Sequence, residues 1–195
     1  MAARIWSKWK DMQSALDLDA PLVRALDEQA SALSSISWKL AVGSISNMEA
    51  ERFKIDTPPR TIAVAVEFLA YELAVYDRLA FTRLEEDERQ AFVLALANHI
   101  AEVIIDNLKD IFGPNDYEAR VIEVLEARLE AYAEYNFIDN EPSYPFLGYF
   151  GKMVEEAMGQ ENQRWVKEQI IEIEGPKVTK AMVKAMNDLF STGGR

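Results

Sequence analysis

The sequence predicts an all-α protein: a single-domain bundle of about six or seven helices around a central apolar helix at about 58–84. Apolar residues recur every three or four positions over long segments, the period of an amphipathic helix. Prolines and glycines fall between those segments, where helices begin and end. A chain of 195 residues buries enough surface for one core without a metal or a disulfide, and it has no cysteine. We therefore expect one domain over 1–195.

The first periodic segment follows Asp19 and Pro21, which together are typical of a helix N-terminus. Its apolar positions, spaced by three and four apart from one skipped position, are Leu22, Leu26, Leu33, Ile36 and Leu40. Gly43 lies in a patch rich in serine and asparagine and predicts that this helix ends there.

The next segment predicts the central, buried helix. Thr57-Pro58-Pro59 indicates an N-cap and a first turn, because proline loses nothing where the backbone amide is unpaired. Apolar side chains then cover nearly the whole circumference, which is typical of a helix surrounded by others. Only a narrow arc near Glu67 and Arg78 is expected to face solvent.

Glu72 falls inside the apolar part of that helix. A buried carboxylate needs a partner or a proton, because burial without either is strongly unfavourable. The favoured interpretation is a structural ion pair with an arginine of a neighbouring helix. The alternative is an acid with a perturbed pKa in a pocket, which makes Glu72 a candidate ligand-binding residue.

Three further helices are expected before the C-terminal region. One runs from about Asp87 to Phe112 and ends at Gly113-Pro114, and Asn115 then caps a helix that reaches about Phe137. A connection broken by proline leads to a helix that begins near Phe146. Residues 169–174 fit either a short strand or a continuing helix, with the helix favoured. Gly175-Pro176 separates a last helix that ends near Phe190.

The only histidine, His99, stands three residues before Glu102 on the predicted polar stripe of its helix. This spacing invites comparison with carboxylate-bridged metal bundles, which project such pairs inward. Those sites need a second histidine-bearing helix, and the stripe faces away from the apolar side. A solvated face is therefore the favoured interpretation, and we assign no metal ligands. A metal site using His99, Glu102 and perhaps Glu72 is the third functional hypothesis.

The segment 132–150 is unusually aromatic, with seven aromatic residues in nineteen positions. Such residues at loop–helix junctions either line a ligand pocket or plug the open end of a helical core. The plug is slightly favoured. The candidate pocket residues, beside Glu72, are Tyr132, Tyr135, Tyr144, Phe146 and Tyr149.

Both ends of the chain, 1–18 and 176–195, are possible docking helices with basic residues alongside an apolar stripe. The anchors are Trp6 and Trp9 at one end and Met182, Met186 and Phe190 at the other. Such helices dock in the groove of a partner, pack on their own acidic chain or swap onto a second subunit. A homo-oligomer, with a dimer favoured, is expected. The acidic bulk disfavours peripheral membrane contact.

The net charge and the lack of recognisable motifs argue against several classes of function. The net charge of −12 argues against nucleic-acid binding. The longest apolar stretch contains four charged residues, so no transmembrane segment is predicted, and a cytoplasmic protein is expected. No catalytic constellation, phosphate loop or cofactor motif stands out. The sequence thus favours a non-enzymatic, self-associating interaction or adaptor protein. The alternative is a small-molecule-binding helical domain with the aromatic pocket at 132–150.

Overall fold

The computed structural model describes residues 18–159 and 164–192, and these form a helical bundle as predicted. The first five helices are α1 (Ala20–Ala50), α2 (Pro58–Phe81), α3 (Glu86–Phe112), α4 (Glu118–Ala133) and α5 (Tyr144–Met158). A last, continuous helix comprises α6 (Val166–Gln169), a π-helical segment (Ile170–Glu174) and α7 (Gly175–Thr192). Among these residues the strands are a two-residue antiparallel pair, β1 (Phe137–Ile138) and β2 (Glu141–Pro142).

Helix α2 is the centre of the bundle, which confirms the prediction of a central apolar helix. Fifteen of its twenty-four residues are buried, and it packs against α1, α3, α4, α5 and α7. Thr57 has extended backbone angles at the N-cap and Pro58 opens the first turn, as expected. One cluster of buried residues then extends from Leu26 to Met186 around this helix.

Helix α1 begins as predicted but does not end at Gly43. The Asp19 carboxylate accepts a hydrogen bond from the Leu22 amide at 2.8 Å, which makes Asp19 the N-cap. The helix continues through Gly43 to Ala50 because its apolar face continues, with Ile45 and Met48 both buried. Burial of these two side chains outweighs the roughly 1 kcal/mol that glycine costs inside a helix.

The sequence predicted the ends of α3 more accurately than the ends of α4. Helix α3 has a capping box between Glu85 and Glu88 and ends at Gly113, whose φ is +86°. Helix α4 is shorter than predicted at both ends. The Asn115 side chain accepts from the neighbouring Asp116 amide in a local turn, so it does not cap the helix. At the other end the β-hairpin takes over the residues from Phe137.

The C-terminal helix is not interrupted at Gly175-Pro176, contrary to the prediction. The Gly175 amide donates to the Ile170 carbonyl five residues back, so the backbone widens into a π-helical segment just before the proline. This wider turn accommodates a residue that lacks an amide and crowds the preceding turn of an α-helix. Residues 169–174 therefore continue the helix in π form, in line with the favoured interpretation.

Gly175 is required by packing. A Cβ atom there would lie 2.6 Å from Leu147 Cδ2 and 2.8 Å from the Ile170 carbonyl oxygen.

We expect Gly175→Ala to lower the free energy of unfolding by about 1–2 kcal/mol, since overpacking outweighs the helix propensity gained. Chemical denaturation measures this. Gly43→Ala is the matched control: nothing lies within 4 Å of its Cβ position, so it should stabilise α1 by about 0.5–1 kcal/mol. Equal effects of the two variants would contradict the packing argument.

By length and composition alone, α3 is the one helix among the described residues that could cross a membrane. Half of its most apolar stretch is buried against the other helices, as also occurs in ordinary core helices. This resemblance to a membrane span is weak, and it falls on a different helix from the apolar stretch that the sequence singled out.

Candidate functional site

The aromatic segment packs its rings against one another and against α2. Tyr71 of α2 stacks on Phe150 with ring centroids 4.0 Å apart, and Tyr132 stacks on Phe146 at 4.7 Å. Tyr149 meets Tyr132 edge-on at 4.9 Å. These contacts are those of a core plug, the interpretation that the sequence slightly favoured. A ligand between Tyr132, Tyr135 and Phe146 would require these rings to separate.

The other predicted pocket residues do not lie around a common cavity. Tyr144 is 68% exposed at the start of α5. Tyr135 is half-buried and lies 6.5 Å from the Phe146 ring and 5.7 Å from the Tyr149 ring. Glu72 is in the core of the bundle on α2. The six candidate ligand residues therefore do not surround one cavity among the described pockets.

Glu72 is fully buried, and no hydrogen bond of standard geometry reaches either carboxylate oxygen. The ion pair predicted for it is absent from the described residues. The hydroxyl groups of Ser37 on α1 and Tyr76 on α2 lie in the same buried polar cluster, likewise without a hydrogen bond of standard geometry. Burial raises the pKa of Glu72 well above its usual range, and the nearby Ser37 hydroxyl only partly offsets this. Glu72 is thus a core acid that prefers to keep its proton.

The buried ion pair is made by Glu67 instead. Arg128 of α4 donates to Glu67 through Nε at 2.7 Å and through Nη2 at 2.8 Å. Glu67 was expected to face solvent but is buried, because α4 packs over the arc that the helical wheel left open. The hydrogen bonds and charge of Glu67 raise the pKa of Arg128. The prediction of an ion pair at Glu72 was therefore wrong, and so was the expectation that Glu67 faces solvent.

This ion pair lies in an open cleft between α2, α3, α4 and α5, with a volume of about 570 Å³. Apolar side chains of all four helices make the walls, including Ile62, Val66, Ile104, Leu108, Val121 and Met153. Phe112, 54% exposed, and the exposed residues Arg120 and Glu156 also line it. Sequence reasoning missed this cleft, because a wall shared by four helices leaves no local motif.

His99 contacts carboxylates of two helices but forms no metal cluster. Its Nε2 atom lies 3.0 Å from Asp27 Oδ1 on α1, and its Nδ1 atom lies 3.6 Å from Glu102 Oε2. Within the described residues, no group of three histidine, aspartate or glutamate side chains is placed to hold a metal ion. Glu72 is not among the partners of His99. The contacts are those of a helix-to-helix polar link between α1 and α3.

The C-terminal anchors are part of the core rather than a free docking face. Met182 and Met186 are completely buried in their own chain, and the half-buried Phe190 meets Phe92 edge-on at 5.5 Å. In the described part of the chain this stripe packs on its own bundle, which is one of the alternatives that the sequence left open. Trp6 and Trp9 lie outside the described residues.

The cleft thus combines apolar walls with a few polar groups, which is the usual composition of a ligand pocket. Comparison of the chain with protein-family models, curated proteins and solved structures finds no match.

Proposed function

We propose that this chain is a non-enzymatic binding protein whose cleft between α2 and α5 holds a small amphiphilic molecule with an apolar body and one anionic head group. The observation that carries the proposal is the cleft itself, at about 570 Å³. Small-molecule sites commonly measure about 300–1,000 Å³ and have mostly apolar walls. The proposal keeps the small-molecule alternative from the sequence and moves its site away from the aromatic segment.

The charges around the cleft indicate the head group. Its cations are Arg128, which is held by Glu67, and Arg120, which is exposed on the first turn of α4. An arginine at the mouth of an apolar cleft suits a carboxylate or phosphate, which accept paired hydrogen bonds from a guanidinium. Glu156, also in the lining, lies 3.6 Å from Lys152 and is therefore partly neutralised.

Calorimetric titration with sodium decanoate tests the proposal. We expect saturable binding with one site per chain, and weaker binding of decyltrimethylammonium, which has the same tail and the opposite charge. Arg120→Glu should weaken decanoate binding about tenfold, equivalent to about 1.4 kcal/mol. Its position on the surface makes a folding defect unexpected.

A second pair of variants separates the cleft from the rest of the surface. Ala63→Trp places a large ring in the wall of the cleft and should abolish binding of decanoate. Ala127→Trp is the control, because Ala127 is exposed on α4 and does not line the cleft. Decanoate binding that survives Ala63→Trp, or no saturable binding at all, would refute the proposed function.

The self-associating interaction protein expected from the sequence remains a second candidate. It is favoured by large apolar side chains that are exposed on the described surface, among them Phe81, Phe112, Ile138 and Trp165. Isolated apolar residues are common on protein surfaces, so this support is weaker than that of a cleft. Native mass spectrometry measures the oligomeric state and any bound ligand. A dimer with no bound ligand would favour this candidate.

A further inference from the structure

One end of the bundle combines an exposed aromatic ring with a shallow groove. Phe81, 67% exposed, is the last residue of α2, and the Arg89 guanidinium lies 5.7 Å from its ring centroid. A groove of about 300 Å³ runs from Phe81 to the hairpin residues Phe137, Asp139 and Asn140. Ile138, between these lining residues, is 65% exposed. The end therefore offers apolar surface that the described chain leaves uncovered.

The same end is acidic. The junction of α2 and α3 carries four consecutive acids, Glu85, Glu86, Asp87 and Glu88, and the hairpin adds Asp139 and Glu141. Two arginines also line the groove: Arg89 is already engaged by Asp77 and Glu86, and Arg78 donates to backbone carbonyls of residues 132–135. Apolar surface framed by carboxylates is complementary to a segment that combines aromatic and basic side chains.

The described part of the chain begins at this end of the bundle. Asp27 of α1 contacts His99 of α3, and further along Trp38 and Val42 line a pocket with Asn107 and Ile111, so the two helices run parallel. Leu18 stands nine residues before Asp27 and Gln90 nine before His99. At 1.5 Å per residue, Leu18 therefore lies level with the first turns of α3, at the end of the bundle that carries Phe81.

We propose that residues 1–17 dock on this end of their own chain, with Trp6 and Trp9 against Phe81 and the groove beside it. Their sequence supplies the matching chemistry, with an apolar stripe alongside Arg4, Lys8 and Lys10. Trp9 and Trp6 stand nine and twelve residues before Leu18, which lies at the same end of the bundle as Phe81. Covalent attachment raises the effective concentration of the segment into the millimolar range, so a modest affinity is enough to keep it docked.

Tryptophan fluorescence tests this proposal, because the chain has four tryptophans and two lie in the segment. In the full-length Trp38→Phe/Trp165→Phe variant, the remaining emission comes from Trp6 and Trp9. We expect this emission to be shifted to the blue relative to a synthetic peptide of residues 1–17, at all protein concentrations. Adding Phe81→Glu, or reversing the charges of Arg4, Lys8 and Lys10, should abolish that shift. Ile173→Glu is the control, since Ile173 is also exposed but precedes Glu174, which contacts Asn47 at the far end of α1.

Three results would overturn the proposal. Emission equal to that of the peptide would mean that the two tryptophans are not docked. A blue shift that survives Phe81→Glu would place them elsewhere. A blue shift that is lost on dilution, together with a doubled mass in native mass spectrometry, would assign the segment to a second copy of the chain.

Discussion

We expect Glu72→Gln to raise the free energy of unfolding at pH 7, an unusual gain for a substitution in a core. In the folded protein burial raises the pKa of Glu72 above its ordinary value of 4.5, whereas in the unfolded chain the carboxyl ionises normally. At pH 7 the unfolded state gains the free energy of ionisation that the folded state cannot use. Glutamine has nearly the same shape and hydrogen-bonding atoms. It does not ionise, so the unfolded state of the variant gains no free energy of ionisation.

The sign of this effect gives the prediction a pH dependence. Well below pH 4.5 the carboxyl is protonated in both states, so the wild type and Glu72→Gln should differ little. Above it, the wild type loses stability relative to the variant as the pH rises, until the folded-state pKa is reached. Urea denaturation at pH 4 to pH 8 measures this difference.

Glu174→Gln is the matched control for Glu72→Gln. Glu174 is also buried, but its carboxylate accepts from Asn47 at 3.5 Å and from Gln169 at 3.3 Å. Removing its charge weakens two hydrogen bonds, so this variant should gain no stability. A Glu72→Gln variant that is less stable than the wild type at pH 7 would mean that Glu72 is ionised and has a partner.

The two glutamates of α2 show how far the sequence could predict this molecule. The apolar circumference of α2 was readable because periodicity depends only on the order of residues along one helix. Which of the glutamates meets an arginine depends on where α4 crosses α2, and a helical wheel holds no information on that crossing. The ion pair predicted for Glu72 was therefore wrong, and the one that Glu67 forms was not predicted.

The positions of glycines did not reliably predict where helices end, for a related reason. Gly113 ends α3 as predicted, but α1 continues through Gly43, and Gly175 allows close approach of α5 instead of breaking the chain. A glycine that ends a helix and one that a neighbouring helix crosses look alike in a single sequence. The cleft was missed in the same way, since it exists only where four helices diverge.

Breaking the Glu67–Arg128 pair should have the largest destabilising effect of the substitutions considered. We expect Arg128→Met to lower the free energy of unfolding by about 3 kcal/mol, because it leaves the Glu67 carboxylate buried without its guanidinium. Glu67→Leu should cost less, about 1 kcal/mol, because Arg128 is partly exposed and its head group can reach solvent. Thermal and urea denaturation of both variants measure this asymmetry.

The double variant Glu67→Leu/Arg128→Met tests whether the two residues act as a pair. Apolar side chains of similar size replace a buried ion pair with little loss, so the double variant should lie within about 1 kcal/mol of the wild type. If the loss of unfolding free energy in the double variant equals the sum of the losses in the two single variants, the residues do not act as a pair. Lys152→Met is the control for an exposed pair and should change stability by about 0.5 kcal/mol or less.

The same double variant also distinguishes a structural from a binding role for Arg128. If Arg120 holds the anionic head group, decanoate should still bind after the pair is replaced, because the pair only lines the cleft. If decanoate binding is lost while stability is retained, Arg128 leaves Glu67 to bind the ligand. The buried ion pair would then be part of the binding site, since the ligand would have to compete with Glu67 for the guanidinium.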